Sequence, residues 1–199
     1  MCIRDRMLEE SNDFDKRIKN AMSFYSWCAS RIIPPDRTYA KEILNSIGAS
    51  QGVTDRERAQ IALSYHCLSL LDVFWVKEEN EKIRFEDINL FAHSLSNALV
   101  DIALRGHQMT VTNAHLLAND LSTGGLYPKA WVRKEDGFYL YKDGGRDAVE
   151  REVLASKICR CFDCHQVLYE QGMFENELVS ISKIMTSQRY SLVTYAAYD

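Results

Sequence analysis

The stretch LSTGGLYPKAWVRKEDGFYLYK, residues 121–142, decides the fold of this chain. It opens on a turn of small residues, whose backbone can adopt left-handed angles and point N–H groups inward. After an apolar run, Gly137 can take the positive φ of a tight hairpin loop, and the aromatic FYLY that follows has the composition of a strand. The sequence therefore predicts a glycine turn leading into a β-hairpin, with Lys129 on one strand and Lys142 on the other, which suits a phosphate-bearing ligand. The turn consists of Ser122, Thr123, Gly124 and Gly125.

The residues after the hairpin predict the rest of a sheet. Residues 147–162 have apolar positions at helical spacing, and we expect Val149, Val153, Leu154 and Ile158 on the buried face. Residues 167–171 and 178–184 alternate or run apolar, as two strands joined by a turn do. With hairpin strands around 126–132 and 138–142, these segments predict one antiparallel sheet with the helix on one face. The expected fold class is α+β.

The residues before the hairpin predict a helical and mixed region. Helices are expected over 14–33, over 36–47 with Asp36 as the cap, and from a Thr54–Glu57 capping box to about residue 65. Residues 74–76 predict a short strand. Residues 85–90 and 96–104 predict short strand or helix pieces, and the polar residues 108–119 predict a boundary.

Composition narrows the classes of function. A net charge of −4 and a pI near 5.8 argue against direct nucleic-acid binding. The sequence has no apolar run of membrane-spanning length, so we expect no membrane contact and a cytoplasmic location. The six cysteines are expected to be reduced thiols. Residues 1–6, MCIRDR, resemble a translated sequencing adapter and are set apart from the fold.

Two segments resemble one protein family. STGGLYPKAW, followed by a turn and YLYK, is similar to the start of the kinase domain of bacterial HipA-like Ser/Thr protein kinases. Members of one branch carry ST-(D/N)-G-x-x-PK-x-W and then YLYK. FWVKEENEKIRFEDINLF also resembles an upstream segment of those proteins, and the likeness extends from about residue 31 to residue 192. The resemblance implies a kinase small lobe at 113–199 after a helical and mixed region at 7–112.

The resemblance also implies an ATP site and the roles of its residues. Lys142 matches the strand lysine that contacts the phosphates, and Lys129 matches the lysine of the glycine-rich turn. Glu152 matches the helix carboxylate that pairs with Lys142, while Glu150, two residues earlier, stays open as a competing candidate. The turn of residues 122–125 would supply N–H groups to the phosphates. The hinge backbone that reads adenine would consist of Lys183, Ile184 and Met185.

The catalytic parts of such a kinase are expected elsewhere. A catalytic Asp and the Mg²⁺ ligands belong to the large lobe, and no matching stretch follows Lys142. We therefore expect no catalytic residue and no metal ligand in this fragment, and no phosphoryl transfer by it. The implied intact protein is a Ser/Thr protein kinase that uses ATP and Mg²⁺, acts on a protein substrate, and has an antitoxin or regulatory protein as partner in a toxin–antitoxin or phage-related system. The alternative is a non-catalytic module that binds a nucleotide or a partner.

A cysteine motif offers a competing interpretation. Cys161, Cys164 and His165 have the C-x-x-C-H spacing of covalent haem attachment, and Cys159 adds another possible ligand. Haem attachment of that kind requires export, and no signal peptide is apparent in the sequence. We expect these side chains not to converge on a metal or haem.

Overall fold

Helices dominate the first half of the chain and strands the second half. The computed structural model describes residues 14–49, 54–92, 97–106 and 121–192. The helices are α1 (Phe14–Ser30), α2 (Ala40–Ser46), α3 (Asp55–Ser64), α4 (Phe85–Ile88), α5 (Asn97–Arg105) and α6 (Arg146–Cys159). The strands are β1 (Lys129–Lys134), β2 (Gly137–Lys142), β3 (Tyr169–Phe174) and β4 (Glu177–Lys183).

The four strands form one antiparallel sheet in the order β1-β2-β4-β3, and α6 packs on β3 and β4. This confirms the predicted α+β fold and the predicted sheet with its helix. The boundaries differ by a few residues. β1 begins at Lys129 rather than near residue 126, because Pro128 has no N–H to donate to a neighbouring strand. α6 ends at Cys159, three residues before the predicted end at residue 162. Single turns follow it.

Two tight turns close the hairpins. Gly137 takes a φ of 138° where β2 begins, as its position in the sequence predicted. Between β3 and β4, Glu175 and Asn176 have φ values of 48° and 68°. Positive φ at both central residues is the signature of the type I′ turn, whose twist matches that of antiparallel strands. Both hairpins are therefore closed by local backbone geometry.

The two faces of the sheet are buried by different parts of the chain. Because side chains alternate across a strand, Ala130, Tyr141 and Val179 point to one face, where they join the core of the helical region at Ile102 and Leu104. The sheet and the helices before it therefore share one hydrophobic core.

The opposite face carries a second core. Trp131 and Phe138 pack there with apolar side chains of the segment between α3 and α5: Leu68, Leu70, Trp75 and Leu90. At the other end of the same face, α6 buries Val149 and Val153. The expectation for Leu154 and Ile158 was wrong, since they are 58% and 54% exposed. The helix instead turns Glu152 and Ser156 toward the sheet, and these make hydrogen bonds there.

The helices before the sheet agree only in part with those predicted from the sequence. The capping box is confirmed: the Glu57 N–H donates to the Thr54 hydroxyl at 3.3 Å, and the Thr54 N–H donates to the Glu57 carboxylate at 3.0 Å. The prediction of Asp36 as a cap was wrong. Turn-type backbone bonds occupy the residues after Pro34, and α2 begins at Ala40 after Tyr39 in a left-handed conformation.

The predicted strand over residues 74–76 is also absent, since only Trp75 forms an isolated bridge. The Val76 N–H bonds instead to the carbonyl of His66 at 2.9 Å. Residues 85–90 and 96–104, which were predicted as short strand or helix pieces, correspond to the helices α4 and α5. The predicted boundary at 108–119 and the segment 1–6 lie outside the described residues. No helix in the described parts of the chain is long and apolar enough to cross a membrane.

A buried ion pair ties α1 to the segment after α3. The guanidinium of Arg31 donates two hydrogen bonds to the Asp72 carboxylate, at 2.8 and 2.7 Å, and a third to the carbonyl of Cys67. The two side chains are only 7% and 12% exposed. Removing one partner of such a pair leaves the other charge buried without compensation.

We therefore expect Arg31→Ala to lower the free energy of unfolding by about 3–5 kcal/mol. Urea unfolding followed by circular dichroism measures this loss. The matched control is Arg146→Ala, because Arg146 pairs with Glu150 on the surface at 3.6 Å, with both side chains more than half exposed. An exposed pair of this kind contributes about 0–1 kcal/mol. Equal effects of the two substitutions would contradict the structural role of Arg31.

Candidate functional site

Lys142 and Glu152 are in contact. The Lys142 ammonium donates to one carboxylate oxygen of Glu152, and the hydroxyl of Ser180 donates to the other. Ser180 lies directly opposite Lys142 on β4, so both point to the face that α6 covers. The lysine side chain is 20% exposed and the glutamate 34%. The predicted Lys142–Glu152 contact is confirmed.

The choice between Glu150 and Glu152 is decided by the orientation of α6. Glu150 is exposed and pairs with Arg146 one helical turn before it. Because two residues along a helix lie on nearly opposite sides, Glu150 points to solvent while Glu152 points to the sheet. Glu152 is therefore the partner of Lys142.

Tyr169 contacts the same lysine, and the sequence did not indicate it. The Lys142 nitrogen lies 4.7 Å from the centre of the Tyr169 ring and 3.4 Å from its hydroxyl. Tyr169 begins β3, the edge strand farthest from β1. No local signal marks such a residue, because its approach to Lys142 depends on how the strands are ordered in the sheet.

Lys129 lies beside Lys142. The two residues are directly opposite each other on β1 and β2, and the ammonium of Lys129 donates to the carbonyl of Gly124. Burial, with help from the positive charges of Arg37 and Lys142, lowers the pKa of Lys129 to about 8, while Glu152 acts in the opposite direction. The predicted pair of hairpin lysines therefore forms one cluster of positive charge.

The glycine turn is held from several sides. Thr123 is buried, and the Arg37 guanidinium donates to its carbonyl at 3.0 Å and to its hydroxyl at 2.7 Å. The Ser122 hydroxyl bonds to that of Ser69 at 2.7 Å. Neither Arg37 nor Ser69 was identified from the sequence, since both come from the helical region more than fifty residues earlier in the chain.

The two glycines of the turn are exposed, and Gly125 has the expected left-handed conformation with a φ of 93°. Within the described residues, the N–H groups of Gly124 and Gly125 make no hydrogen bond. Among the described residues, both N–H groups therefore lack a hydrogen-bond partner, and they lie in an exposed turn beside Lys129.

The predicted hinge residues occupy the other end of β4. The N–H of Ile184 donates to the carbonyl of Phe138 at 2.9 Å, and its side chain packs in the second core. The side chain of Lys183 is 54% exposed and binds Asp136 at 2.9 Å, and Met185 is exposed. Ile184 lies four positions after Ser180, just past the end of β4, which is about 13 Å of extended chain. The structure therefore does not bring the hinge residues into contact with Lys142.

The cysteine motif lies on the surface after α6. Cys159, Cys161 and Cys164 are free and exposed. In the described parts of the chain, no group of three or more His, Cys, Asp or Glu side chains is placed to hold a metal ion.

Comparisons with known proteins identified no relative: no protein-family model, no curated protein and no solved structure matches this chain.

Lys129 generates a prediction about pH. Between pH 8 and about 10.4, the unfolded chain keeps a proton on Lys129 that the folded chain has released, so folding is favoured as pH rises. In Lys129→Met this contribution is absent. We expect the free energy of unfolding of the wild type, relative to Lys129→Met, to rise by about 2 kcal/mol between pH 7 and 9.5. Urea titrations at the two pH values measure it, and a difference that does not change with pH would contradict the lowered pKa.

The cysteines generate a second prediction. Purified protein should contain no stoichiometric zinc, iron or haem by elemental analysis and absorbance. Iodoacetamide should modify the exposed Cys159, Cys161 and Cys164 in the native state, and should reach the buried Cys28 and Cys67 only after unfolding. Peptide mapping by mass spectrometry distinguishes the sites. One tightly held metal per chain, with protected surface thiols, would contradict this expectation.

Proposed function

We propose that this chain is the nucleotide-binding, N-terminal part of an ATP-dependent Ser/Thr protein kinase of the HipA-like kind. The observation that carries the proposal is the ion pair between Lys142 on β2 and Glu152 on α6. In protein kinases, a strand lysine and a helix glutamate must form such a pair before the lysine can serve the ATP phosphates. Here the pair joins a strand and a helix in the order that the resemblance implied.

In this proposal, the ion pair between Lys142 and Glu152 orders the lysine before the ligand binds. A lysine side chain has many rotamers, and ordering them on ligand binding opposes association. Glu152 restricts Lys142 before the ligand arrives, and Ser180 in turn restricts Glu152. The ammonium has three donors, so it can bind a phosphate oxygen while it keeps the carboxylate.

The surrounding residues fit a phosphate-bearing ligand. Among the described residues, Lys129 lies near the positive charges of Lys142 and Arg37 and the carboxylate of Glu152. The exposed turn at Gly124 and Gly125 adds backbone N–H groups, which form anion sites in glycine-rich turns. A nucleoside triphosphate requires this combination of charge and backbone donors.

The base of the nucleotide would lie toward the end of β4. Of the proposed hinge residues, Ile184 already uses its N–H within the sheet. The backbone of Met185 makes no hydrogen bond with the described residues, so it is the better candidate to read adenine. ATP bound here would bring Mg²⁺ with it, and the proposal assigns the metal ligands and the catalytic Asp to the large lobe.

The proposal extends to the setting of the intact protein. A kinase of this kind would act in the cytoplasm on a Ser or Thr of a protein substrate, with an antitoxin or regulatory protein as a partner. The alternative function is nucleotide or partner binding without phosphoryl transfer. A catalytic Asp and a metal-binding Asp in the reading frame after residue 199 would favour the kinase, and their absence would favour the binding module.

Calorimetric titration of this chain with MgATP tests the proposal. We expect measurable binding that Lys142→Ala weakens by about 10- to 100-fold, since hydrogen bonds to charged groups contribute about 1.5–3 kcal/mol. The melting temperature should change little, because partly exposed pairs contribute about 0–1 kcal/mol to stability. In the full-length protein, the same substitution should abolish phosphoryl transfer.

Lys157→Ala is the matched control, because Lys157 is an exposed lysine near the end of α6. It should bind MgATP as the wild type does. A wild type that does not bind MgATP, or equal binding by Lys142→Ala and Lys157→Ala, would refute the nucleotide site.

A further inference from the structure

The residues just before α2 lie against the glycine turn. Arg37 is only 4% exposed, although arginine is seldom buried in proteins. One of its nitrogens donates to the carbonyl and the hydroxyl of Thr123, and the other donates to the carbonyl of Lys129. Next to it, the N–H of Thr38 donates to the carbonyl of Leu126 at 2.9 Å. The segment of Arg37 and Thr38 therefore holds the turn at both ends.

These contacts set the direction of the N–H groups in the turn. In a trans peptide the carbonyl and the N–H point to opposite sides of the chain. The Thr123 carbonyl shares its peptide with the Gly124 N–H, and the Gly124 carbonyl shares its peptide with the Gly125 N–H. Arg37 holds the first carbonyl toward the protein, and Lys129 holds the second. Both N–H groups consequently point away from the groups that hold the turn.

We propose that Arg37 is a positioning residue of the phosphate site, and that the helical N-terminal region thereby forms part of the nucleotide-binding unit. The two terminal nitrogens of Arg37 donate to groups of the protein at Thr123 and Lys129, so Arg37 acts through the turn and not by binding the ligand itself. The N–H groups of Gly124 and Gly125 would bind one phosphate of the ligand and the ammonium of Lys142 another, while Lys129, which holds the Gly124 carbonyl, attracts the phosphates by its charge. This inference rests on the proposed nucleotide-binding function.

The charge of Arg37 has a second, measurable effect. Among the described residues, the charged groups that act on Lys129 are Arg37 before α2, Lys142 on β2 and Glu152 on α6. Arg37 lowers the pKa of Lys129, and only the protonated lysine attracts a phosphate. The affinity for a phosphate ligand should therefore decline as pH rises through about 8. Without the charge of Arg37, that decline should occur at higher pH.

Titration of the full chain with MgATP at pH 6 to 10 tests the role of Arg37. At pH 7, Arg37→Gln should weaken binding at least tenfold, and its loss of affinity with rising pH should begin at higher pH than in the wild type. Arg37→Lys should recover part of the affinity, because an ammonium can hold one carbonyl but lacks the fork that reaches two. A residue that only stabilises the fold would leave the pH profile unchanged.

Arg58→Gln is the matched control. Arg58 is also largely buried and donates to a backbone carbonyl, that of Ile32 at 3.1 Å, within the helical region. It should lower stability without changing the affinity of the folded protein or its pH profile. If the wild type binds MgATP and Lys142→Ala weakens it, but Arg37→Gln binds like the wild type, this inference fails and the proposed function stands. A wild type that does not bind refutes both.

A measurement on the wild type covers the case in which Arg37→Gln does not fold. In ¹⁵N-labelled protein, MgATP should shift the amide resonances of Gly124 and Gly125 more than those of Gly48, a control glycine between α2 and α3. Thr123→Val removes only the hydroxyl that Arg37 binds, and it should weaken both the affinity and these shifts. Unshifted glycine amides at saturating MgATP would overturn the inference.

Discussion

The arrangement of the site depends on the position of β2 between β1 and β4. The register places Lys129, Lys142 and Ser180 in one row across three strands, on the face that α6 covers. Two lysines directly opposite each other repel, and this destabilises a sheet unless another charge compensates. Glu152 supplies that compensation from α6, and the Ser180 hydroxyl holds its second oxygen. A shift of one residue in either pairing would send the members of this row to opposite faces.

The described charges around this row suit the proposed phosphate ligand. Among the described residues, Lys129 lies near the ammonium of Lys142, the guanidinium of Arg37 and the carboxylate of Glu152, and burial makes the charge of Lys129 costly. In the proposal, a phosphate group at the turn adds negative charge beside these cations, and the amides of Gly124 and Gly125 bind its oxygens. The same features that weaken the unliganded protein at neutral pH would therefore strengthen the proposed complex.

The helical region has a structural role that extends to the sheet. Ile102 and Leu104 share a core with Ala130 and Tyr141, and Arg37 binds the backbone at the start of the hairpin. The region before the hairpin and the sheet therefore support each other. For the proposed nucleotide site, this means that its geometry depends on residues far outside the strand–helix–strand segment.

Local sequence was sufficient to place the four strands of the sheet and α6 to within a few residues, because alternation, glycine positions and helical spacing act over short distances. The resemblance to the kinase family indicated the pair of Lys142 and Glu152, with Glu150 as a competing candidate. Spacing alone did not show which face of α6 meets the sheet, and so Leu154 and Ile158 were wrongly expected in the core. The rotation of a helix is set by everything that packs against it.

Only the tertiary structure identified Arg37, Ser69 and Tyr169 as neighbours of the site. Arg37 lies 86 residues before Thr123, and no local pattern connects residues at that separation. The strand predicted over residues 74–76 is absent for the same reason. Trp75 is a residue type that favours strands, but here its side chain packs in the second core in place of strand pairing. The sequence by itself determined that the hairpin carries two lysines and a glycine turn, and that the helix after it carries glutamates. The contacts between distant segments, which bring two lysines and a glycine turn together at the proposed anion site, were decided by the packing of the whole chain.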